Sequence, residues 1–121
     1  MTHDNPIISF LNAHEPDMFA LLEKMVRIQS GSHNKKGVDL VARLIQSTFQ
    51  SNTVSCRTVE QTDFGNHLMV RSLCNKPLDK QILLVGHMDT VFPKNTDFNW
   101  YREDTTQCYG PGVIDMKGGL V

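Results

Sequence analysis

A chain of 121 residues, 40% of them hydrophobic and 21% charged, has the composition of one small globular domain with one core, which argues against a disordered polymer. A formal charge of -1 supplies no general field for nucleic acid or anionic lipid, and no apolar run approaches the about 20 residues needed to cross a bilayer. Neither nucleic acid nor a membrane is expected as a partner. The opening "MTHDNPIISF" has no basic stretch followed by an apolar run, so no signal peptide is expected. Cys56, Cys74 and Cys108 are widely spaced and match neither a disulfide framework nor a paired-thiolate knuckle; they read as reduced thiols in a cytoplasmic protein.

In chain order, Asn5-Pro6 reads as a helix N-cap followed by proline at the first helical position, with a short helix over Pro6 to Ala13. Glu15-Pro16 restarts the pattern. Met18, Leu21, Met25 and Ile28, widened by Phe19, Leu22 and Val26, then form one apolar helical face. "QSGSHNKKG" is a polar loop, its Lys35-Lys36 pair solvated. Val38, Val41, Leu44, Ile45, Thr48 and Phe49 mark a third helix.

From Thr53 the period changes. "TVSCRTVE" and "HLMVRSLC" read as strands around a turn at Asp63-Phe64-Gly65-Asn66, and "NKPLDK" as a loop. "QILLV" is a continuous apolar run of the kind buried on both faces of a sheet. "FNWYREDTTQCYG" suggests a hairpin turning near Glu103-Asp104-Thr105. Helices first, then strands with a central buried one, give an α/β architecture in which helices pack on a mixed β-sheet. "GPGVIDMKGGLV" reads as a loop entering a helix at about Lys117. A helix stopped in its first turn has met the cost of nucleation without propagation, so the chain is expected to be the front piece of a longer protein.

Two clusters carry chemistry. In "LLVGHMDTVFP", His87 and Asp89 follow the apolar run one residue apart, and extended residues i and i+2 project to the same side. A carboxylate behind an imidazole fixes its tautomer and raises its basicity, as a metal-binding histidine requires. A strand-end histidine with a satisfied hydrogen bond is the commoner arrangement, so the pair alone leaves both readings open. In "YGPGVIDMKGG", Gly110, Pro111 and Gly112 form a loop able to aim Asp115 sharply, and a carboxylate can bridge two metal ions. A structural turn followed by a helix-capping aspartate fits that cluster equally well. Lys117 precedes its glycines and no Ser or Thr follows, which is the wrong order for a phosphate-binding loop. There is no Gly-x-Ser-x-Gly elbow and no cysteine beside a histidine, so a Ser or Cys nucleophile is not indicated. His3, His14 and His33 fall at helix ends or in polar loops and His67 starts a strand, as ordinary surface or capping histidines do.

"GHMDTVFP" followed by "YGPGVIDMKGG" resembles the M20 family of metallopeptidases, which includes glutamate carboxypeptidases, acetylornithine deacetylase and succinyl-diaminopimelate desuccinylase. The resemblance extends loosely over the helices "DMFALLEKMVRIQSGS" and "GVDLVARLIQSTFQ" and the strands, so it covers nearly the whole chain. It implies a zinc-dependent hydrolase of amide bonds with two Zn²⁺ per subunit, for which Co²⁺ or Mn²⁺ are possible substitutes. It also implies a catalytic α/β domain interrupted by a smaller lid or dimerisation domain. Residues 1–121 would be the N-terminal part of that catalytic domain, with a homodimer possible through the lid.

By the resemblance, His87 matches a zinc ligand, Asp89 the acid that orients it, and Asp115 the carboxylate bridging both metals, joined to Met116 by a cis peptide. The substrate implied is a small N-acyl amino acid or peptide, and the Gly-Pro-Gly form is most similar to the glutamate-carboxypeptidase-like branch. The departure is that the family's adjacent Glu-Glu pair, a further acidic ligand and a late histidine do not occur in this chain. The isolated chain is therefore expected to be inactive. The alternative is a non-catalytic α/β binding or scaffold module.

Overall fold

The computed structural model describes residues 5–49, 51–73 and 80–121. The loop expected over "NKPLDK", Cys74 and His3 therefore lie outside the described residues, apart from Lys80. Two helices come first, α1 (Pro6–Arg27) and α2 (Lys35–Thr48). They are followed by the antiparallel pair β1 (Val54–Val59) and β2 (His67–Ser72) and the small antiparallel pair β3 (Arg102–Glu103) and β4 (Cys108–Tyr109). A single 3₁₀ turn spans Lys117–Leu120. This is the α/β class expected from the sequence.

Helix α1 starts as its sequence predicts: the Asn5 side chain accepts from the Ile7 N–H at 3.0 Å, and Pro6 occupies the first turn, where its missing N–H leaves nothing unpaired. It does not break at Pro16, and the short helix ending at Ala13 is instead continuous with the next. The proline removes the N–H that would bond Asn12, but Asn12 is exposed and its carbonyl is open to water. The apolar stripe also keeps its phase across the proline, since Leu11, Met18 and Leu22 line one groove together with Gly118 and Val121. His14 consequently sits within the helix rather than at an end, with Nδ1 against the Phe10 carbonyl at 2.8 Å and its ring stacked on Phe10.

The described core is narrow. Leu22, Met25 and Val26 of α1 are buried with Val38, Val41 and Ala42 of α2. Full burial of such side chains contributes about 1.5–3 kcal/mol each for the larger ones. Helix α2 is capped by Asn34, whose Nδ2 also donates to the Gln29 carbonyl at 2.7 Å, folding the connection back onto itself. The turn before β2 docks on the start of α2. Lys35 donates to Asn66 Oδ1 at 2.6 Å and pairs with Asp39 at 3.2 Å, and the Asn66 N–H reaches Asp39 Oδ1 at 2.7 Å. Gly65 lies so close to Val38 that any Cβ there would collide with it.

Both expected hairpins form. The β1–β2 register runs from Val54 opposite Ser72 to Val59 opposite His67. In the small hairpin, which turns at the position expected, Asp104 Oδ1 accepts from the Thr106 and Gln107 N–H groups at 2.8 and 3.0 Å, as short acidic side chains do in turns.

The central buried strand does not form. "QILLV" pairs with no strand among the described residues, and Ile82, Leu83, Leu84 and Val85 are 81–90% exposed. Among the described residues there is no mixed sheet; the two sheets are separate two-stranded antiparallel pairs, and the parallel contact is an isolated bridge between Gly31 and Thr90. The physical reason is that a strand buried on both faces needs a neighbour on each edge, and neither hairpin offers one. No helix among the described residues is long and apolar enough to cross a membrane.

Two outcomes follow from this arrangement. Four exposed aliphatic residues on an unpaired segment form a template for edge pairing. The chain should associate in a concentration-dependent way in sedimentation velocity, and the double variant Ile82→Lys, Leu84→Lys should shift it toward monomer. Partial burial pulls the Asp39 carboxyl upward, but the Asn66 N–H and the Lys35 ammonium outweigh it and hold the pKa below its ordinary 3.8. A depressed folded-state pKa contributes stability that is present above the unfolded value and lost as pH falls through the folded one. In urea denaturation, wild type should exceed Asp39→Asn in stability at pH 6, and the gap should close as pH falls below about 4.

Candidate metal centre

The segment after the apolar run is held by the connection between the two helices. Thr90 donates its N–H to the Ser30 carbonyl at 2.9 Å and accepts from the Ser32 N–H at 3.0 Å, which makes the parallel bridge centred on Gly31. Gln29 Nε2 adds a bond to the Phe92 carbonyl at 3.0 Å. Gly31 must be glycine here, because a Cβ would run into that same Phe92 carbonyl oxygen. The result is that His87 to Phe92 lies along residues 29–32 with its side-chain directions set.

The second segment reaches the same place from the other direction. Gly110 and Gly112 have φ of 156° and 81°, and Gly112 in particular occupies a left-handed conformation that favours glycine. A Cβ at Gly110 would collide with Val26 of α1. The loop thus presses on the helix before turning to present Asp115, and the Asp115–Met116 peptide is cis, as the resemblance implies. Met116 Sδ accepts from the His87 N–H at 3.2 Å, so the two segments also touch each other directly.

Lys117 locks this second segment down. Its side chain is fully buried, and Nζ donates to the Met25 carbonyl at 2.8 Å and the Ile28 carbonyl at 3.0 Å. These belong to the last turn and cap of α1, where a cation is favoured by the helix dipole; the Met25 carbonyl also accepts from the Ile28 N–H at 3.2 Å. Burial pushes the ammonium down to about 8. The sequence gives no sign of this role: a lysine before two glycines at a helix start reads as exposed.

Held in this way, His87 and Asp115, which are 28 residues apart, meet with Nε2 at 2.7 Å from Asp115 Oδ1. On the other side of the ring, Nδ1 faces the Asp89 carbonyl at 3.1 Å and its Oδ1 at 3.2 Å. The hydrogen bond to Asp115 is the largest influence on His87 and raises its pKa; desolvation opposes it, and Asp89 adds to the rise. Asp89 is itself held, because Ser32 Oγ donates to its Oδ2 at 2.5 Å. Ser32 was not singled out from the sequence, where it is one polar residue in a polar loop.

The structure therefore brings His87, Asp89 and Asp115 together. His33, by contrast, lies against Phe64 at 5.6 Å and His67 opens β2, exposed. An imidazole nitrogen beside a carboxylate oxygen is a donor pair suited to a divalent ion such as zinc. Asp89 lies on the Nδ1 side of the ring and no further His, Cys, Asp or Glu among the described residues joins the Nε2–carboxylate pair, so the chain's own donors fit a metal in kind and fall short in number. Beside the pair opens a cavity of about 420 Å³ walled by Val91, Phe92, Phe98, Trp100, Val113 and Ile114. Phe92, Phe98 and Trp100 form an edge-to-face ladder with centroids 4.8 and 5.2 Å apart.

An imidazole between two carboxylates, on an α/β frame beside an apolar cavity, is a candidate metal-binding arrangement. Comparison with known proteins points the same way. The chain is 26% identical over 120 residues to carboxypeptidase G2 of Pseudomonas sp. (strain RS-16), covering 96% of this chain and 28% of that protein. It is 32% identical over 104 residues to succinyl-diaminopimelate desuccinylase of Corynebacterium glutamicum, covering 86% and 26%. A probable succinyl-diaminopimelate desuccinylase of Staphylococcus aureus is 26% identical over 113 residues, covering 88% and 26%. The chain thus spans about a quarter of the length of the curated relatives it matches. No protein-family model matches it. These relatives are hydrolases by name, and they bear out the resemblance to the M20 peptidases.

If Lys117 joins the Asp115 loop to α1, removing it takes the ammonium donor from the Met25 and Ile28 carbonyls, of which Met25 keeps the Ile28 N–H, and leaves a cavity where the stem lay. Lys117→Ala should lower stability by about 3 kcal/mol, read from the urea midpoint.

Proposed function

We propose that this chain supplies part of the metal site of a zinc-dependent hydrolase that cleaves an amide or peptide bond and releases an amino acid. The observation that carries the reading is the 2.7 Å approach of His87 Nε2 to Asp115 Oδ1 with Asp89 behind the ring, built from two segments distant in sequence. The names of the relatives, a carboxypeptidase and desuccinylases, support hydrolysis of a bond to nitrogen. Two free, half-buried thiols, Cys56 and Cys108, suit the cytoplasmic location we assign.

In this reading His87 and Asp115 would be the residues of this chain that hold the metal, the imidazole through Nε2 and the aspartate through its carboxylate. Zinc, or cobalt or manganese in its place, supplies polarisation of a carbonyl and acidification of a water when bound. Asp89 keeps the proton of His87 on Nδ1, leaving Nε2 as the donor atom. The apolar walls around Phe98 and Trp100 would give the substrate's non-polar part a surface to lie on beside the pair. A small N-acyl amino acid or peptide is the substrate class, the glutamate-carboxypeptidase-like branch the nearest in motif, and a homodimer the assembly considered for the whole protein.

The second reading, a non-catalytic module, is favoured for the isolated chain by one observation: no third donor joins the pair among the described residues. The two readings divide on one experiment. The complete product of the reading frame should hydrolyse members of a panel of N-acyl amino acids and contain zinc by elemental analysis, while Asp115→Ala loses both. Full activity with stoichiometric zinc in that variant would remove the bridging role, and a complete product of 121 residues with no zinc would establish the module.

A further inference from the structure

We propose that Ser32 is a positioning residue for the metal-binding pair, acting through Asp89 on the orientation of His87. This rests on the reading of His87 and Asp115 as metal donors. His87 Nδ1 faces two oxygens of Asp89, the main-chain carbonyl at 3.1 Å and the carboxylate Oδ1 at 3.2 Å, and the other carboxylate oxygen, Oδ2, accepts from Ser32 Oγ at 2.5 Å. A carboxylate at the end of a short side chain has one free rotation that would swing Oδ1 away from the ring, and the Ser32 hydroxyl opposes it. Ser32 can do so because its own backbone is fixed, with its N–H on the Thr90 carbonyl at 3.0 Å and its hydroxyl within 3.3 Å of that same oxygen.

The order of dependence is therefore Ser32 to Asp89 to His87, with His87 Nε2 facing Asp115. A hydroxyl at this point donates to a charged acceptor in a half-buried setting, where such bonds are about twice as strong as neutral ones. A residue serving only loop structure would need its backbone bonds to Thr90; its hydroxyl would not have to meet Asp89. The Ser32 hydroxyl meets both.

The test uses the 121-residue chain with ¹⁵N-labelled histidine, metal-free and then titrated with zinc chloride. In Ser32→Ala the His87 Nδ1 resonance should move by several ppm while backbone amides away from the site stay in place, and in Ser32→Thr, which keeps the hydroxyl, it should stay at the wild-type position. Zinc should perturb Nε2 in wild type, and its apparent affinity should fall about tenfold in the Ala variant and recover in the Thr variant. Should the Ala variant unfold, the near-isosteric Ser32→Cys carries the same expectation. An unmoved Nδ1 resonance in a folded Ala or Cys variant, or a Thr variant displaced as far as Ala, overturns the positioning role. A resonance that moves as expected upholds that role whether or not Nε2 of this chain responds to zinc, because its own donors among the described residues fall short in number; the metal reading is overturned separately, by a complete protein that holds no zinc.

Discussion

The structure depends on one short piece of backbone, residues 25–32, where α1 ends and turns toward α2. A helix end has carbonyls with no intrahelical partner, and a turn after it has N–H and C=O groups still to be satisfied. Here those groups are satisfied by the two segments that bear the candidate site. Thr90 takes the turn's N–H and carbonyl, and Lys117 takes the helix-end carbonyls. One local requirement, the pairing of buried backbone, thereby fixes the distance between side chains on separate parts of the chain. The same constraint explains the close approaches at Gly31 and Gly110, since both segments must come against backbone or core side chains with no Cβ between.

Burying Lys117 is the least obvious part of this arrangement. An ammonium out of water is costly, and its lowered pKa expresses that cost. No carboxylate pairs with it in the structure described; its partners are two carbonyl oxygens at the negative end of a helix. The long stem lets the charge reach the helix end while its methylenes pack near Gly112, whose missing side chain leaves the room. His87 lies at the other extreme. It is close to half exposed, so packing alone does not enclose the ring; its two nitrogens face Asp115 and Asp89, and Ser32 bonds the Asp89 carboxylate.

Much of this was legible in the sequence where the determinant is local. Asn5-Pro6 starts a helix through cap chemistry alone, the Asp63–Asn66 turn sets the β1–β2 hairpin, and Asp104 turns the second one. The i, i+2 relation of His87 and Asp89 and the Gly-Pro-Gly loop before Asp115 likewise act over a few residues, so their spelling carried information about the site. Non-local determinants were hidden. "QILLV" has the composition of a buried strand, but composition cannot say whether neighbouring strands are there to cover it. Pro16 reads as a break because its effect on one turn is calculable, whereas the continuous stripe from Leu11 to Leu22 is a property of packing against Gly118 and Val121. Ser32 and Lys117 look like ordinary polar residues, and only the tertiary arrangement gives them partners.

The separation of those partners in sequence has a consequence for how the molecule comes into being. Lys117 closes on carbonyls 92 and 89 residues earlier, and Ser32 on a carboxylate 57 residues later. Helices α1 and α2 can each form early, since their own hydrogen bonds are near in sequence, but the turn between them keeps open polar groups until residues near 117 have been made. Contacts of this range are entropically slow to close, and they place the maturation of the His87–Asp115 junction at the end of the folding sequence. The order of synthesis and the order of assembly therefore run in the same direction, with the junction acquiring its shape only once the last of its fasteners has left the ribosome.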